Sequence, residues 1–263
     1  MRTVVIVPTY NELHNLEPLV RQLLAVDSGI DVLVVDDNSP DGTGLVADSL
    51  AAETPRVHAL HRTGKLGLGT AYVTGFRYAL DHGYERIVEM DADFSHRPED
   101  LPRLLAASAC ADVVIGSRNI PGGQVRNWSP LRQMISRTGS LFARLVLHLP
   151  IHDCTSGFKV FRRETLQRLD LAAIHSNGYA FQVEVNYACA VSGQHFAEIA
   201  IVFPDRVRGA SKMSWRIVVE ALAMVIRLRL RMSRPAVRDL ATSCPVPVPE
   251  PVRMVAEHET TAA

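Results

Sequence analysis

The stretch Ile87-Val88-Glu89-Met90-Asp91-Ala92-Asp93-Phe94-Ser95-His96 decides how this chain folds. Its first four residues are largely apolar and read as a buried strand. An extended backbone sends residues i and i+2 to the same side. Asp91 and Asp93 therefore converge just past the strand's end. Two hard oxygen donors aimed at one point suit Mg²⁺ or Mn²⁺. The same pair could simply open a loop that caps the next helix, so the motif alone leaves both readings open. The flanking sequence has to weigh between them.

The arrangement recurs on both sides of this stretch. Strand candidates at Val4–Val7, Val32–Val35, Val57–Leu60, Ile87–Met90 and Val113–Ile115 are rich in Val and Ile without alternation. That pattern predicts burial on both faces. Amphipathic helices are predicted between them at Leu13–Ala25, Gly44–Ala52, Gly69–Asp81 and Pro98–Ala107. Together they predict an α/β fold with a mostly parallel central sheet and flanking helices. Each strand runs into polar text containing Gly or Pro: PTYNE, DDNSPDGT, HRTGKLGLG, DADFSHRPED and GSRNIPGG. Open parallel sheets bind ligands at the carboxyl ends of their strands. The chemistry-bearing residues therefore gather along one sheet edge.

Three of these loops suggest a nucleotide. In Pro8-Thr9-Tyr10-Asn11-Glu12 a tyrosine can stack on a base and a glutamate can bond its polar edge, and the same residues can also start a helix. Asp37 can accept hydrogen bonds from a ribose or base, or can serve as the Asx-turn of a solvated helix entry. The loop Gly64-Lys65-Leu66-Gly67-Leu68-Gly69 allows close backbone approach before a helix, with Lys65 as a phosphate contact. A tight turn against a packed helix explains its glycines equally well. It has neither Walker spacing nor the dinucleotide GxGxxG.

Beyond Gly123 the pattern changes. Residues 131–149 read as a helix with a broad apolar stripe and with Arg132, Arg137 and Arg144 on its polar side. A loop at His152–Gly157, a short segment at Phe158–Phe161, a helix near Phe181–Val191 and an edge strand at Glu198–Phe203 follow. Residues 1–232 form one expected domain, and the Pro-rich 233–263 reads by composition as a disordered tail. No stretch has the apolar length of a transmembrane helix. The stretch 215–231 is amphipathic and basic, which together with 131–149 makes it a candidate membrane-facing surface. The chain has 263 residues, with 28 Lys+Arg balanced by 28 Asp+Glu, so net charge points to no nucleic-acid partner. Cys110, Cys154, Cys189 and Cys244 show no metal or disulfide spacing, which suits a reducing, cytoplasmic setting.

Seven ordered motifs then carry a resemblance: VDDNSPDGT, KLGLGTAY, MDADFSH, the GSR at Gly116–Arg118, NWSPLR, DCTSGFK at Asp153–Lys159 and DRVRGASKM at Asp205–Met213. They resemble the family 2 glycosyltransferases of GT-A fold, a nucleotide-binding sandwich. Within that family they are similar to the dolichol-phosphate (polyprenyl-phosphate) mannose synthases, over roughly residues 3–215. The resemblance implies a GDP-mannose donor, a polyprenyl monophosphate acceptor and inversion at the sugar carbon. It implies a nucleotide site at Pro8, Tyr10, Glu12, Val35 and Asp37. It implies a metal site at Asp91 and Asp93, with Ser95 where some relatives add a ligand. It places Arg118, Arg132, Ser136, Arg206 and Lys212 around the diphosphate and acceptor phosphate. An acceptor phosphate is already anionic and needs no strong base, so positioning and cations should suffice. Some relatives end in transmembrane hairpins that are not found here. Membrane contact, at the cytoplasmic face, would then come from amphipathic surface or a membrane-anchored partner protein. The competing readings are a catalytically silent scaffold that binds nucleotide sugar or lipid, and a polyprenyl-phosphate glucosyltransferase using UDP-glucose.

Overall fold

Thr3–Thr9 (β1) is buried along its whole length, and its residues alternate between two cores. Val4 and Ile6 enter one core, while Val5 and Val7 enter the other. The computed structural model, which describes residues 1–205 and 215–231, places β1 inside the middle layer of a three-layer sandwich, with strands on both sides of it. After it come Leu13–Val26 (α1), Ile30–Asp36 (β2), Thr43–Glu53 (α2), Val57–His61 (β3), Leu68–Asp81 (α3) and Arg86–Glu89 (β4). The four strands are parallel in the spatial order β3-β2-β1-β4. Helix α1 buries Leu16, Leu19, Val20 and Leu23, one stripe at helical spacing, against the Val5/Val7 face. Tyr72 and Phe76 of α3 cover the opposite face. Each such side chain contributes about 1.5–3 kcal/mol by leaving water.

The second half completes the sheet. Leu101–Ala107 (α4), Val113–Ser117 (β5), Gln124–Val125 (β6), Pro130–Leu147 (α5), Lys159–Arg162 (β7), Arg163–Gln167 (α6), Tyr179–Val191 (α7), Phe196–Ala200 (β8), Val202–Phe203 (β9) and Trp215–Arg231 (α8) follow in order. The full sheet runs β3-β2-β1-β4-β7-β5-β8, and β7 alone is antiparallel to its neighbours. The mostly parallel sheet expected from the sequence is thus present.

Three local expectations are corrected. The helix predicted over Pro98–Ala107 opens as a 3₁₀ turn at Pro98–Asp100 and becomes α-helical at Leu101, next to Pro102, which has no N–H to give a helical carbonyl. The segment at Phe158–Phe161 is strand β7, wedged between β4 and β5. The predicted edge strand is two pieces. β8 forms the sheet edge beside β5, whereas Val202–Phe203 leaves to pair with β6 in a separate ribbon.

The order of β1 to β4 positions the ligand site. Helix α1 leads from β1 to β2 on one side, and α3 carries the chain back across to β4 on the other. The connections diverge at the carboxyl ends of β1 and β4, which leaves a crevice there.

Candidate active site

That crevice is a cleft of about 260 Å³ lined by Pro8, Tyr10, Glu12, Asp37, Lys65, Asp91 and Asp93, among others. Four of the five polar loops predicted from sequence to share an edge thus line one space, and the loop at Gly116–Gly123 does not. Lys65 Nζ stands 3.9 Å over the Tyr10 ring, so the cation and the aromatic enter the cleft together. Val35 does not line it. Its side chain is buried in the core beneath, one residue before Asp36.

Asp37 is engaged twice over. Its Oδ1 accepts from Arg62 Nε at 2.6 Å, and its Oδ2 accepts from the N–H groups of Leu66 and Gly67 at 3.1 Å each. Arg62 also donates to Thr70 Oγ1 and to the Gly67 carbonyl. The glycine loop therefore spends two amides on the protein's own carboxylate. Two of its glycines, Gly67 and Gly69, answer to backbone geometry and packing. Gly67 sits at φ +101°, and a Cβ at Gly69 would overlap the Ser176 carbonyl. Glu184 holds that neighbouring loop by accepting from the N–H groups of His175 and Ser176.

Asp91 and Asp93 are fixed from behind. Tyr72 Oη donates to Asp91 Oδ1 at 3.0 Å, and the Asp91 N–H donates to His96 Nδ1 at 3.1 Å. Ser95 donates to Asp93 Oδ1 through its amide at 3.0 Å and its hydroxyl at 2.5 Å. Ser95 thus orients Asp93 in this structure. Burial pushes the Tyr72 phenol well up, reinforced by Asp91, so it stays a proton donor. Burial pushes the His96 imidazole down against the pull of Asp91 and Asp93, which keeps it neutral. A Cβ at Gly157 would lie 3.4 Å from Asp91 Oδ2, so the glycine leaves space beside that oxygen. Below the pair, Glu89 is wholly buried with Lys159 Nζ 3.7 Å away. Burial pushes the Glu89 carboxyl up to about 7 despite Lys159.

Of the predicted phosphate cations, Lys65 lines the cleft, whereas Arg118 lies in a small neighbouring pocket. Arg118 and Ser136 line it with Trp128 and Gln133. Arg118 is buried and donates Nε and Nη2 to the two oxygens of Asp153, each at 2.7 Å. Burial disfavours the Asp153 charge, but the guanidinium overrides that and holds its carboxyl below the usual range. Arg132 pairs with Asp205 at 2.8 Å and lies 3.9 Å over the Trp128 ring. The Trp128 Nε1 is buried and has no hydrogen-bond partner among the described residues. Arg206 and Lys212 lie outside the described residues, as does the 233–263 tail.

Two features join the halves of the site. His96, which touches Asp91, makes an edge contact with Phe203, and Phe203 makes one with Trp128. The loop from Asp153 to Gly157 grips Arg118 at one end and abuts Asp91 at the other. Sequence reasoning missed Arg62, Tyr72, His96 and Phe203 as parts of this site. Arg62 follows a strand end at the same sheet edge as Asp37, and Tyr72 and His96 lie within the motifs KLGLGTAY and MDADFSH, whereas Phe203 left no such signal.

The family model for glycosyl transferase family 2 matches residues 4–170. An undecaprenyl-phosphate mannosyltransferase of Micrococcus luteus is 52% identical over 227 residues, which cover 86% of this chain and 93% of that one. A polyprenol monophosphomannose synthase of Mycolicibacterium smegmatis is 48% identical over 243 residues, covering 90% and 92%. Glucosyl-3-phosphoglycerate synthase from Mycobacterium tuberculosis, solved with UDP, superposes with a TM-score of 0.62 at 16% identity, covering 88% of this chain and 81% of its own. A mannosyltransferase from Pyrobaculum calidifontis, solved with GDP-Man and Mn²⁺, gives 0.59 at 22% identity, covering 89% and 65%. At these identities the solved structures speak for the GT-A fold alone.

Proposed function

This chain belongs to glycosyl transferase family 2, and from that premise we propose that it transfers mannose from GDP-mannose to a polyprenyl monophosphate, with inversion and with a divalent metal. The carrying observation is the convergence of Asp91 and Asp93 with Tyr10, Glu12 and Lys65 in one cleft. It occurs in a chain about half identical to proteins named for this transfer to polyprenyl carriers.

The residues fit a hard cation. Asp91 and Asp93 would hold Mg²⁺ or Mn²⁺. No group of three or more His, Cys, Asp or Glu is placed to do so among the described residues, so donor phosphate oxygens would complete the shell. The bound ion would offset charge building on the departing nucleoside diphosphate. Tyr72 and Ser95 orient the two carboxylates. Tyr10, Glu12 and Asp37 border the nucleoside space, and Lys65 stands beside it as a point charge for phosphate.

The acceptor phosphate belongs with Arg118, Arg132 and Ser136, and with Arg206 and Lys212 from the resemblance. The unpartnered Trp128 Nε1 beside them is a donor suited to a phosphate oxygen. A phosphate arrives anionic, so the absence of an exposed histidine from the lining of the cleft costs the reaction nothing. No described helix is long and apolar enough to cross a membrane. Helices α5 and α8 pack together and leave Leu131, Met134, Leu141, Leu145, Ile226 and Leu230 exposed. That surface would let the enzyme reach a lipid acceptor from the cytoplasmic side.

The test is direct. Purified protein with radiolabelled GDP-mannose, polyprenyl phosphate and Mg²⁺ or Mn²⁺ should yield lipid-linked mannose, and chelation should stop it. Folded protein that gives no product with either ion would sink the proposal.

A further inference from the structure

Helix α5 carries two further arginines to which the proposed transfer assigns no role. Arg137 and Arg144 lie seven residues apart, two turns along one face of the helix. Both line a cavity of about 340 Å³, along with Asn119, Leu141, His152 and Arg118. Arg132 and Ser136, expected at the acceptor phosphate, are not among its lining residues, although Arg118 is, and Arg137 also borders the small pocket that holds Arg118 and Ser136.

The charges in this cavity are unbalanced. The two nearby carboxylates are already committed. Asp153 binds Arg118 through both oxygens. Glu198 accepts from the His152 and Asp153 amides at 2.8 and 3.0 Å and meets His152 Nδ1 at 2.8 Å. Neither Arg137 nor Arg144 has a hydrogen-bond or ion-pair partner among the described residues, although Arg144 is half-buried. A partly desolvated guanidinium without a counter-charge favours an anion, and its planar fork matches phosphate. Alongside runs the exposed stripe Leu131, Met134, Leu141 and Leu145, at helical spacing. Leu141 belongs to both the stripe and the cavity. A soluble phosphate would leave that stripe in water, whereas a phospholipid would cover it.

We propose that Arg137 and Arg144 form a binding site for the phosphate of an anionic phospholipid headgroup, adjoining the acceptor-phosphate site. The site orients the enzyme on its membrane, with the headgroup in the cavity and the acyl chains along the leucine stripe. The inference rests on the reading of α5 as membrane-facing, and not on the identity of donor or acceptor.

The experiment is co-sedimentation of full-length protein with phosphatidylcholine vesicles, with and without phosphatidylglycerol. Neither donor nor acceptor is present, so the outcome is independent of mannose transfer. Wild type should partition onto the phosphatidylglycerol vesicles. R137Q/R144Q should partition about thirtyfold less, at about fivefold per arginine near an anionic surface. R77Q/R168Q, which removes equal charge from outside the cavity, should stay within about twofold of wild type by the same per-residue reckoning. Equal partition of R137Q/R144Q and wild type would overturn this site while leaving membrane contact through α5 and α8 intact. Wild type that stays in solution would overturn both. Calorimetric titration with inorganic phosphate forms the last arm. Loss of phosphate binding in R137Q/R144Q with unchanged vesicle partition would assign the cavity to a soluble phosphate and refute the lipid.

Discussion

Asp153→Asn tests whether the Arg118 pair holds the second half of the site together. The Asp153 carboxylate is fully buried and accepts three bonds from Arg118: the amide at 2.9 Å, and Nε and Nη2 at 2.7 Å each. Asparagine keeps the shape but removes the charge and turns an NH₂ toward a guanidinium that is itself only 4% exposed. Removing one partner of a buried pair costs about 3–5 kcal/mol, because the other charge is left uncompensated. Against a typical stability of about 5–15 kcal/mol, that is a large loss. Urea unfolding followed by far-UV circular dichroism should show the midpoint falling by about 1–2 M, for a slope of about 2–3 kcal/mol/M. The double variant R118M/D153L, which removes both charges, should lie closer to wild type than D153N does. A D153N loss below about 1 kcal/mol, well under the buried-pair cost, would refute the reasoning.

Asp93→Ala should cut mannose transfer by at least about a hundredfold, since it removes an oxygen proposed to hold the metal, and should lower stability by about 1–3 kcal/mol, since the buried Ser95 amide and hydroxyl lose their acceptor. Trp128→Phe keeps the ring beneath Arg132 but deletes the orphan Nε1 donor; KM for polyprenyl phosphate should rise about tenfold and KM for GDP-mannose should hold, as steady-state kinetics would show. For Glu89, burial raises the folded pKa to about 7 from 4.5, so the folded state holds its proton more tightly. That contribution to stability is complete below pH 4.5 and is lost as pH rises to about 7, by an amount on the order of a few kcal/mol. His96, kept neutral by burial, gives an opposing slope below pH 6.5, so the quantity to read is the difference between wild type and E89Q, in chelator. A difference that does not change between pH 4.5 and 7 would refute it.

How much of this was legible in sequence depended on whether a feature is local. Strand β1 announced itself because seven consecutive residues are buried on alternating faces. The Asp91–Asp93 pair did so because period two is a property of the backbone. Strand β7 was not legible as a strand, since four residues between β4 and β5 owe their conformation to pairing on both sides. His96 and Phe203 are 107 positions apart and meet only because β9 leaves the sheet edge to join β6. The glycine loop shows a third case. Its residue types allow an anion cradle, but Asp37, in the loop just past β2, takes two of its amides. Donor groups can be counted from sequence, whereas their partners cannot.

Burial also sorts the cations that sequence could only group together. Arg118 and Arg132 both stand beside Trp128 and both already have a carboxylate. Asp153 is 0% exposed and cannot give up Arg118 without stranding a charge in the interior. Asp205 is 35% exposed, so water can take over its solvation if an incoming phosphate displaces it from Arg132. The two arginines then play different parts. Arg118 is a fixed fork that shapes the pocket through its pair with Asp153. On the proposed transfer, Arg132 would be the cation that exchanges a surface carboxylate for a substrate phosphate. An enzyme that must hold two anionic groups side by side gains from this division. A permanently neutralised arginine keeps the empty site stable, and an exchangeable one supplies attraction when the acceptor arrives.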